Sequence, residues 1–259
     1  MELKDKIIVV TGGASGIGRE MARRFTKEGA KAVVVADLNA EGAQAVDDEI
    51  GATARAVNVR NEQDIIDLID STERDLGPID LFCSNAGIGI GKGIDEPDDV
   101  WQTIWEVNTM SHVWAARHLV PRMIARGGGY LLNTSSAAGL LSQIGSVTYA
   151  VTKHAAVALA EWLAITYGDQ GIKVSVLCPQ AVRTAMTAGG PGVAGVDGMI
   201  EPEAAVDAVV ATIRDEKFLV LPHPEVQEYM QRKTADYDRW LKGMRRLQGL
   251  YIENDNTGS

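Results

Sequence analysis

The sequence predicts an α/β fold in which helices cover both faces of a parallel sheet. Seven short runs, most of them apolar and rich in β-branched residues, alternate with longer segments of helical periodicity. This alternation is typical of parallel strands joined by helical crossovers. Strands that are apolar throughout are expected where both faces of the sheet are covered. We therefore predict one doubly wound domain with about seven parallel strands.

Length and composition restrict the class of protein. The chain has 259 residues, of which 46% are hydrophobic, and its formal charge is -10. We assign residues 1–259 to a single domain. The net negative charge argues against a nucleic-acid-binding surface. We also expect no membrane association, because no apolar stretch approaches the roughly 18 residues of a membrane span and the amino terminus is charged, unlike a signal peptide.

The cysteines and histidines favour neither disulfides nor a metal site. Cys83 and Cys178 each lie near the end of a strand-like run, so we interpret them as buried thiols in a reducing, cytoplasmic protein. The four histidines are scattered and show no ligand spacing, and no metal is expected.

The first strand and the first helix enclose a glycine-rich turn. The β-branched strand 7–10 leads into Thr-Gly-Gly-Ala-Ser-Gly-Ile-Gly at 11–18, and a helix follows until Gly29. Glycines let the backbone approach a pyrophosphate, and free helix N–H groups favour its charge. The turn therefore predicts a nucleotide site, although a glycine-rich turn without a ligand is the alternative.

The second strand, 32–36, ends at Asp37, which lies 19 residues beyond Gly18. A carboxylate about 20 residues after the glycine turn is expected to accept hydrogen bonds from the adenosine ribose and to repel a 2′-phosphate. The nearby side chains Ala14, Ser15, Leu38 and Asn39 are not basic, so NAD is favoured over NADP. Alternatively, Asp37 only caps the following helix.

The remaining elements follow the same alternation. Gly77 and Pro78 end the helix that Asn61 caps, and three glycines at 127–129 end the long helix that Pro97 starts. The later predicted strands are 53–57, 79–83, 130–133, 173–178 and 218–221. The later predicted helices begin near 40, 62, 97, 149 and 202.

Tyr149 and Lys153 lie four residues apart at the start of an apolar helix, so their side chains share one face. An ammonium beside a phenol is expected to lower its pKa from ~10 and make it a proton donor and acceptor. Ser135 or Ser136 is placed to bond the same substrate oxygen. A surface Tyr–Lys pair is the alternative. Asn108, in the middle of a predicted helix, faces either inward or solvent.

These motifs together resemble the short-chain dehydrogenase/reductase family over roughly residues 5 to 222. The glycine motif at 11–18, Asn-Ala-Gly at 85–87 and Tyr-x-x-x-Lys at 149–153 carry the resemblance. It implies a Rossmann fold with strand order 3-2-1-4-5-6-7. It also implies NAD-dependent interconversion of a secondary alcohol and a ketone in a homotetramer or homodimer. The long helices near 100–125 and 149–168 would form the subunit contacts.

The resemblance also implies roles for individual residues. Tyr149 is the general acid/base, Lys153 lowers its pKa and holds the nicotinamide ribose, Ser136 orients the substrate oxygen and Asn108 supports a water in a proton relay. Ser136 is preferred because the family's serine usually lies 13 residues before the tyrosine. The expected cofactor-binding residues are Gly12, Ser15, Gly16, Ile17, Gly18, Asp37, Leu38, Asn58, Val59, Asn85, Ala86, Gly87, Tyr149, Lys153, Pro179, Val182 and Thr184.

The substrate pocket is expected to draw on Ser136, Ala138, Gln143, Gln180 and Met186, which suggests a hydrophobic substrate. Residues 184–200, rich in glycine, are predicted to form a substrate lid without a continuous helix. The C-terminal extension, 223–259, either closes the pocket or covers a neighbouring subunit. Its basic cluster at 242–246 lies on a solvated face or, alternatively, at a membrane surface, and the net negative charge favours the solvated face.

Three positions depart from the family pattern. Asn58 stands where an Asp often contacts adenine, and Ser84 replaces a common Asn. Gln180 replaces the usual Gly after Pro179, so it either helps set substrate specificity or faces solvent.

Two other functions were considered. One is a dinucleotide-binding regulator of the same fold without turnover, which would be expected to lack Tyr149 or Lys153. The other is an epimerase or dehydratase of the family's extended branch, which would have a different glycine spacing and a longer C-terminal domain.

Overall fold

In the computed structural model, a seven-stranded parallel sheet forms the centre of the protein, with strand order β3-β2-β1-β4-β5-β6-β7 within the described residues. The structure describes residues 1–255, with side chains as far as 251. The last four residues of the predicted domain and C-terminal extension therefore lie outside it. The strands are β1 Ile7–Thr11, β2 Ala32–Asp37, β3 Thr53–Ala56, β4 Leu81–Ser84, β5 Gly129–Thr134, β6 Ile172–Leu177 and β7 Leu219–Val220. The predicted fold and strand order are confirmed.

Helices cover both faces of this sheet. They are α1 Gly16–Lys27, α2 Ala40–Ile50, α3 Glu62–Asp75, α4 Asp98–Trp105, α5 Ser111–Ala125, α6 Ala138–Leu141, α7 Val147–Tyr167, α8 Pro202–Asp215, α9 Glu225–Ala235 and α10 Tyr237–Asp255. Side chains of α1, α2 and α8 bury one face, and those of α3, α5 and α7 bury the other. Burial on both faces explains the apolar strands. None of the described helices is both long and apolar enough to cross a membrane.

The helix predicted from Pro97 to about Ala125 is interrupted. A π-helical turn, Glu106–Met110, separates α4 from α5 and contains Asn108, which is fully buried. The prediction of one continuous helix is wrong because the π turn adds a residue there, a deviation that is frequent at functional sites. Of the two orientations considered for Asn108, the inward one is correct.

The segment after β6 has little regular structure. It contains two short 3₁₀ turns, Ala185–Thr187 and Gly192–Gly195, as expected for a glycine-rich stretch. Ile200 pairs with Val182 in an isolated parallel bridge, which fixes the end of the segment beside its start.

The C-terminal extension folds back over the carboxyl edge of the sheet. Asp236 adopts an extended conformation between α9 and α10, and its carboxylate accepts a hydrogen bond from the N–H of Arg239 (2.9 Å). Val226 is fully buried against α6, and Tyr229 and Trp240 pack on the same cluster. The extension thus packs against its own chain, beside Ser136.

Candidate active site

The glycine turn after β1 leaves space for backbone only. Gly12 and Gly16 have φ values of +64° and +53°, which favour glycine. A Cβ atom on Gly18 would lie 2.1 Å from the carbonyl oxygen of Gly12, and one on Gly16 would lie 3.0 Å from Cγ2 of Thr184. The first turn of α1 therefore opens onto a surface that a flat or anionic ligand can approach closely.

Two polar side chains join this turn to the end of β4. The Thr11 hydroxyl accepts hydrogen bonds from the N–H groups of Asn85 (2.9 Å) and Ala86 (3.1 Å). The Asn85 amide donates to the Thr11 carbonyl (3.0 Å) and accepts from the Thr134 hydroxyl (3.1 Å). These bonds fix the carboxyl ends of β1, β4 and β5 relative to one another, at the edge where open α/β sheets bind ligands.

Asp37 holds the other side of the turn. Its carboxylate accepts hydrogen bonds from the N–H of Ala14 (3.0 Å) and of Asn39 (2.9 Å). The side chain of Asn39, not of Asp37, caps α2 by accepting from the N–H of Gly42 (3.0 Å). Capping is therefore not the role of Asp37, and a partly exposed carboxylate remains beside the glycine turn.

Asn58 and Arg60 form the far end of the same cleft. The side-chain amide oxygen of Asn58 accepts from the N–H of Arg60 (3.1 Å), and the Arg60 guanidinium is paired with Glu106 (2.9 Å). Arg60 could not be singled out from the sequence, because its ion pair is with Glu106 of the π turn, which is distant along the chain.

These elements enclose one cleft of about 540 Å³ along the carboxyl edge of the sheet. Every residue expected to bind the cofactor lines it. The groups present fit an extended dinucleotide, since a backbone-only turn lies at its centre, a carboxylate at one end and a lysine at the other.

Lys153 and Tyr149 lie at that second end, on the first turns of α7. Ser146 caps the helix, its hydroxyl accepting from the Tyr149 N–H (3.4 Å). The Lys153 side chain is only 2% exposed; its ammonium donates to the Thr134 carbonyl (3.1 Å) and lies 5.6 Å from the centre of the Tyr149 ring. A surface pair is thereby excluded.

Burial is the largest influence on the pKa values of both Tyr149 and Lys153. It raises the pKa of the Tyr149 phenol, an effect that the adjacent Ser136 hydroxyl partly offsets. Burial also lowers the pKa of Lys153 to about 8. Desolvation of the phenolate is the largest effect on the Tyr149 phenol, so its pKa lies above the ordinary value although Lys153 is close by.

The two serines before α6 have different surroundings. Ser135 is buried, and its hydroxyl donates to the Lys153 carbonyl (2.8 Å). Ser136 is partly exposed and lies against the Tyr149 hydroxyl; its own hydroxyl donates to the Pro179 carbonyl (3.3 Å) and accepts from the Ala138 N–H (3.1 Å). Both serines line the cleft, but the Ser135 hydroxyl is bonded to the backbone of α7, so the Ser136 hydroxyl is the one that lies beside Tyr149.

Asn108 lies directly behind this group. Its amide oxygen accepts from the N–H of Ile88 (2.9 Å), and its nitrogen donates to the Ile88 carbonyl (2.9 Å) and the Thr152 hydroxyl (3.3 Å). A Cβ atom on Gly87 would lie 3.2 Å from Nζ of Lys153 and 3.4 Å from Oδ1 of Asn108. The Asn-Ala-Gly segment thus packs tightly between them.

A second, larger cavity of about 780 Å³ adjoins the cleft, and Ser136 and Gln180 line both. Ala138 and Gln143 also line the second cavity, as expected for substrate residues. Met186, also expected there, lines the cofactor cleft instead, because the 3₁₀ turn Ala185–Thr187 directs it towards Gly89.

Gln180 does not face solvent freely. Its amide nitrogen donates to Asp197 (3.0 Å), which also accepts from the Tyr229 hydroxyl (2.8 Å). The predicted lid is therefore bonded to both the active-site loop and α9. Sequence reasoning named neither Tyr229 nor the α10 residues as site residues, since their helical stripe indicated packing as well as a pocket.

No group of three or more His, Cys, Asp or Glu side chains within the described residues is arranged to hold a metal ion.

Comparison with known proteins assigns the family. Residues 6–190 match the family described as short chain dehydrogenase. A 1-deoxy-11-beta-hydroxypentalenate dehydrogenase of Streptomyces exfoliatus is 33% identical over 91% of this chain and 90% of its own length. A 3beta-hydroxysteroid dehydrogenase 2 of Eggerthella lenta is 34% identical over 70% of this chain and 73% of its own.

A solved structure of a 7-alpha-hydroxysteroid dehydrogenase with NADH and 7-oxo glycochenodeoxycholic acid superimposes with a TM-score of 0.78. It is 27% identical in sequence and covers 85% of this chain and 94% of its own. The fold and the family match are thus those of an oxidoreductase of the dehydrogenase class. The chain belongs to the short-chain dehydrogenase/reductase family.

Proposed function

We propose that this protein interconverts a secondary alcohol and a ketone with NAD as the cofactor. The observation that supports this most is the place of Tyr149 and Ser136, at the junction of two cavities. One cavity has the glycine turn and carboxylate suited to a dinucleotide. The other is bounded largely by apolar side chains and suits an organic substrate.

Within this proposal, Tyr149 exchanges a proton with the reacting oxygen, and the Ser136 hydroxyl orients that oxygen beside it. Lys153 fixes the end of the cleft through Thr134, and its neighbour Asn108 holds the Ile88 backbone. The bound nicotinamide would supply or accept the hydride. With its raised pKa, the phenol of the protein alone is protonated at neutral pH, which is the state that donates a proton to a ketone oxygen.

Asp37 supports the choice of NAD. Its carboxylate lies where the ribose hydroxyls of the adenosine would be expected, and it would repel a 2′-phosphate. The neighbouring Leu38 is 74% exposed and carries no charge to compensate such a phosphate. Arg60, the cleft's basic residue nearest in sequence to Asn58, is already paired with Glu106.

The second cavity supports a largely hydrophobic substrate. Leu141, Val193, Val196, Trp240, Met244 and Leu247 contribute to its wall. Two relatives described above are named for a hydroxypentalenate and a hydroxysteroid. A polycyclic secondary alcohol is accordingly the substrate class that we propose.

The Tyr149→Phe variant tests the proposal. Purified protein is assayed for NAD reduction with sterols, terpenols and diols, and NADH binding is measured by fluorescence. We expect the variant to lose about a thousandfold in kcat/KM, within the range of a general acid–base contribution, while its Kd for NADH changes less than twofold.

Two results would contradict the proposal. Equal turnover by the variant and the wild type would remove Tyr149 from the reaction. NADH binding without turnover of any alcohol or ketone would favour the dinucleotide-binding regulator instead.

A further inference from the structure

The second cavity is not uniformly apolar. Three guanidinium groups, from Arg232, Arg239 and Arg246, line it together with one carboxylate, from Asp236. The other wall residues are apolar, small or neutral polar side chains. A wall that combines a large apolar surface with an excess of positive charge is suited to an amphipathic anion.

Arg239 and Arg246 lie on one side of α10. They are seven residues apart, which puts them nearly in line and ~10 Å apart along the helix axis. Trp240, Met244 and Leu247 lie beside them on the same face of the helix and share the cavity wall. The two charges therefore border one edge of an apolar strip that leads towards Ser136.

The charges of Arg239 and Arg246 are not neutralised by any side chain that the structure describes. Among residues 1–251, neither guanidinium has a hydrogen-bond partner or an ion-pair partner. Arg232 differs, because it pairs with Glu228 and lies over the Tyr229 ring at 5.7 Å.

The acids near the cavity are already engaged. The Asp236 carboxylate accepts from the backbone of Arg239, and the Asp197 carboxylate accepts from Gln180 and Tyr229. Burial, together with the smaller effect of the hydrogen bond to Asp197, raises the pKa of Tyr229 to about 12. Arg239 and Arg246 thus remain the charged donors free to meet a ligand in this part of the described chain.

We propose that the substrate carries an anionic group, a carboxylate or a sulfate, at the end of its apolar skeleton remote from the reacting alcohol. Arg239 and Arg246 bind that group, and the apolar strip binds the skeleton. The proposal deepens the proposed function and rests on it, since it assigns the second cavity to the substrate. A guanidinium suits such anions because its planar donors bind two oxygens at once.

Neighbouring basic residues of α10 offer a matched control. Arg245 adjoins Arg246 in sequence but points about 100° away around the helix, and it does not line the cavity. A general effect of positive charge on α10, such as attraction to a membrane or to any anion, would involve Arg245 equally. Binding of an anion in the cavity would not involve Arg245.

The test compares acids with their methyl esters. Two pairs are used, a hydroxysteroid carboxylic acid and a medium-chain hydroxy fatty acid, each beside its ester. Calorimetry in the presence of NADH gives Kd, and nicotinamide absorbance gives kcat/KM. The proteins are the wild type, the double variant Arg239→Gln/Arg246→Gln and the control Arg245→Gln.

We expect the wild type to bind at least one acid about tenfold more tightly than its ester, the size of one charge-assisted hydrogen bond. The double variant should lose that preference and leave the ester unchanged, whereas Arg245→Gln should keep it. Equal binding of acid and ester by the wild type in both pairs, or the same loss in Arg245→Gln, would overturn the inference.

The Tyr149→Phe variant separates the two proposals. It should lose turnover but keep the acid-over-ester preference in Kd. If the wild type binds the acids preferentially but oxidises none of the alcohols, the proposed reaction fails and the anion site stands. If it oxidises acid and ester alike, with equal Kd values, the reaction stands and the anion site fails.

Discussion

The cofactor cleft and the second cavity meet at Ser136, yet they are built in different ways. The cleft is formed by the carboxyl ends of strands, and its shape depends on backbone atoms, such as the Gly12 carbonyl and the Ala86 N–H. The second cavity is formed by side chains of α6, α9, α10 and the 184–200 segment. Several of these side chains, including Arg239 and Arg246, are exposed.

The difference indicates how the two binding tasks are separated. Backbone at strand ends is held by the whole sheet, so a ligand bound there meets a geometry that few substitutions can alter without unfolding the protein. Side chains on late helices change without disturbing the sheet. The cleft is therefore suited to a ligand common to many relatives, and the second cavity to a ligand particular to this chain.

The largest expected effect comes from adding one methyl group to the cleft. Gly18→Ala would put Cβ 2.1 Å from the Gly12 carbonyl oxygen. Backbone atoms must move to relieve this overlap, which costs about 3 kcal/mol or more. We expect NADH binding to weaken roughly a hundredfold, as measured by fluorescence titration.

Gly243→Ala is the control on the other side of the comparison. Gly243 lies on α10 in the wall of the second cavity, and a Cβ there would contact nothing within 4 Å. Alanine should stabilise the helix by about 1 kcal/mol and leave NADH binding unchanged. If both variants weakened NADH binding equally, the two regions would not be independent.

A smaller effect is expected from the charge of Asp37. Asp37→Asn keeps one acceptor oxygen for the N–H of Ala14 or of Asn39 but loses the charge that repels a phosphate. We expect the ratio of kcat/KM for NAD over NADP to fall roughly tenfold, consistent with the loss of hydrogen bonds to a charged group. An unchanged ratio, with unfolding behaviour like the wild type, would mean that Asp37 does not face the ribose.

A further expected effect concerns the free energy of unfolding, which should depend on pH through the buried side of the cleft. His112 on α5 is fully buried, and burial, with a smaller contribution from the nearby Lys153 ammonium, lowers its pKa to about 3. In the unfolded chain His112 binds a proton near pH 6.5, whereas in the folded chain it does so only near pH 3. This contribution to stability is therefore complete above pH 6.5 and is lost as the pH falls towards 3.

Between pH 7 and pH 5, His112 should account for a loss of about 2 kcal/mol in the free energy of unfolding. His112→Gln should flatten that slope in urea titrations. His118→Gln removes a partly exposed histidine of the same helix, bonded to Glu62, and serves as the control. If the free energy of unfolding of His112→Gln fell with pH as steeply as that of the wild type, His112 would not be the group responsible for the loss of stability.

Much of the cofactor side was predictable from sequence because its signals are local. The β-branched strand, the glycine turn and the carboxylate about 20 residues later can each be recognised from a short stretch of sequence, because each depends on local backbone geometry. The seven strands and their order agree with the prediction, and the residues assigned to the cofactor line one cleft.

The rest depended on contacts between distant segments. Arg60 meets Glu106 across 46 residues, and Gln180 meets Asp197 only because the 184–200 segment folds back. The sequence shows Arg239 and Arg246 as part of a basic helix without showing which of its charges border a cavity. The spacing of Tyr149 and Lys153 reveals the nearby charge but not the burial that raises the pKa of the phenol.

The π turn at Glu106–Met110 has a consequence for changes in chain length. It holds one residue more than a regular α turn, so the helix before it and the helix after it are out of phase. Deleting one residue there would give an uninterrupted α-helix, a locally favourable outcome that rotates Asn108 relative to Ile88 and Thr152. Insertions and deletions, usually confined to loops, are therefore constrained inside this helix, and an alignment that closes the extra position would misplace the residues on one side of it.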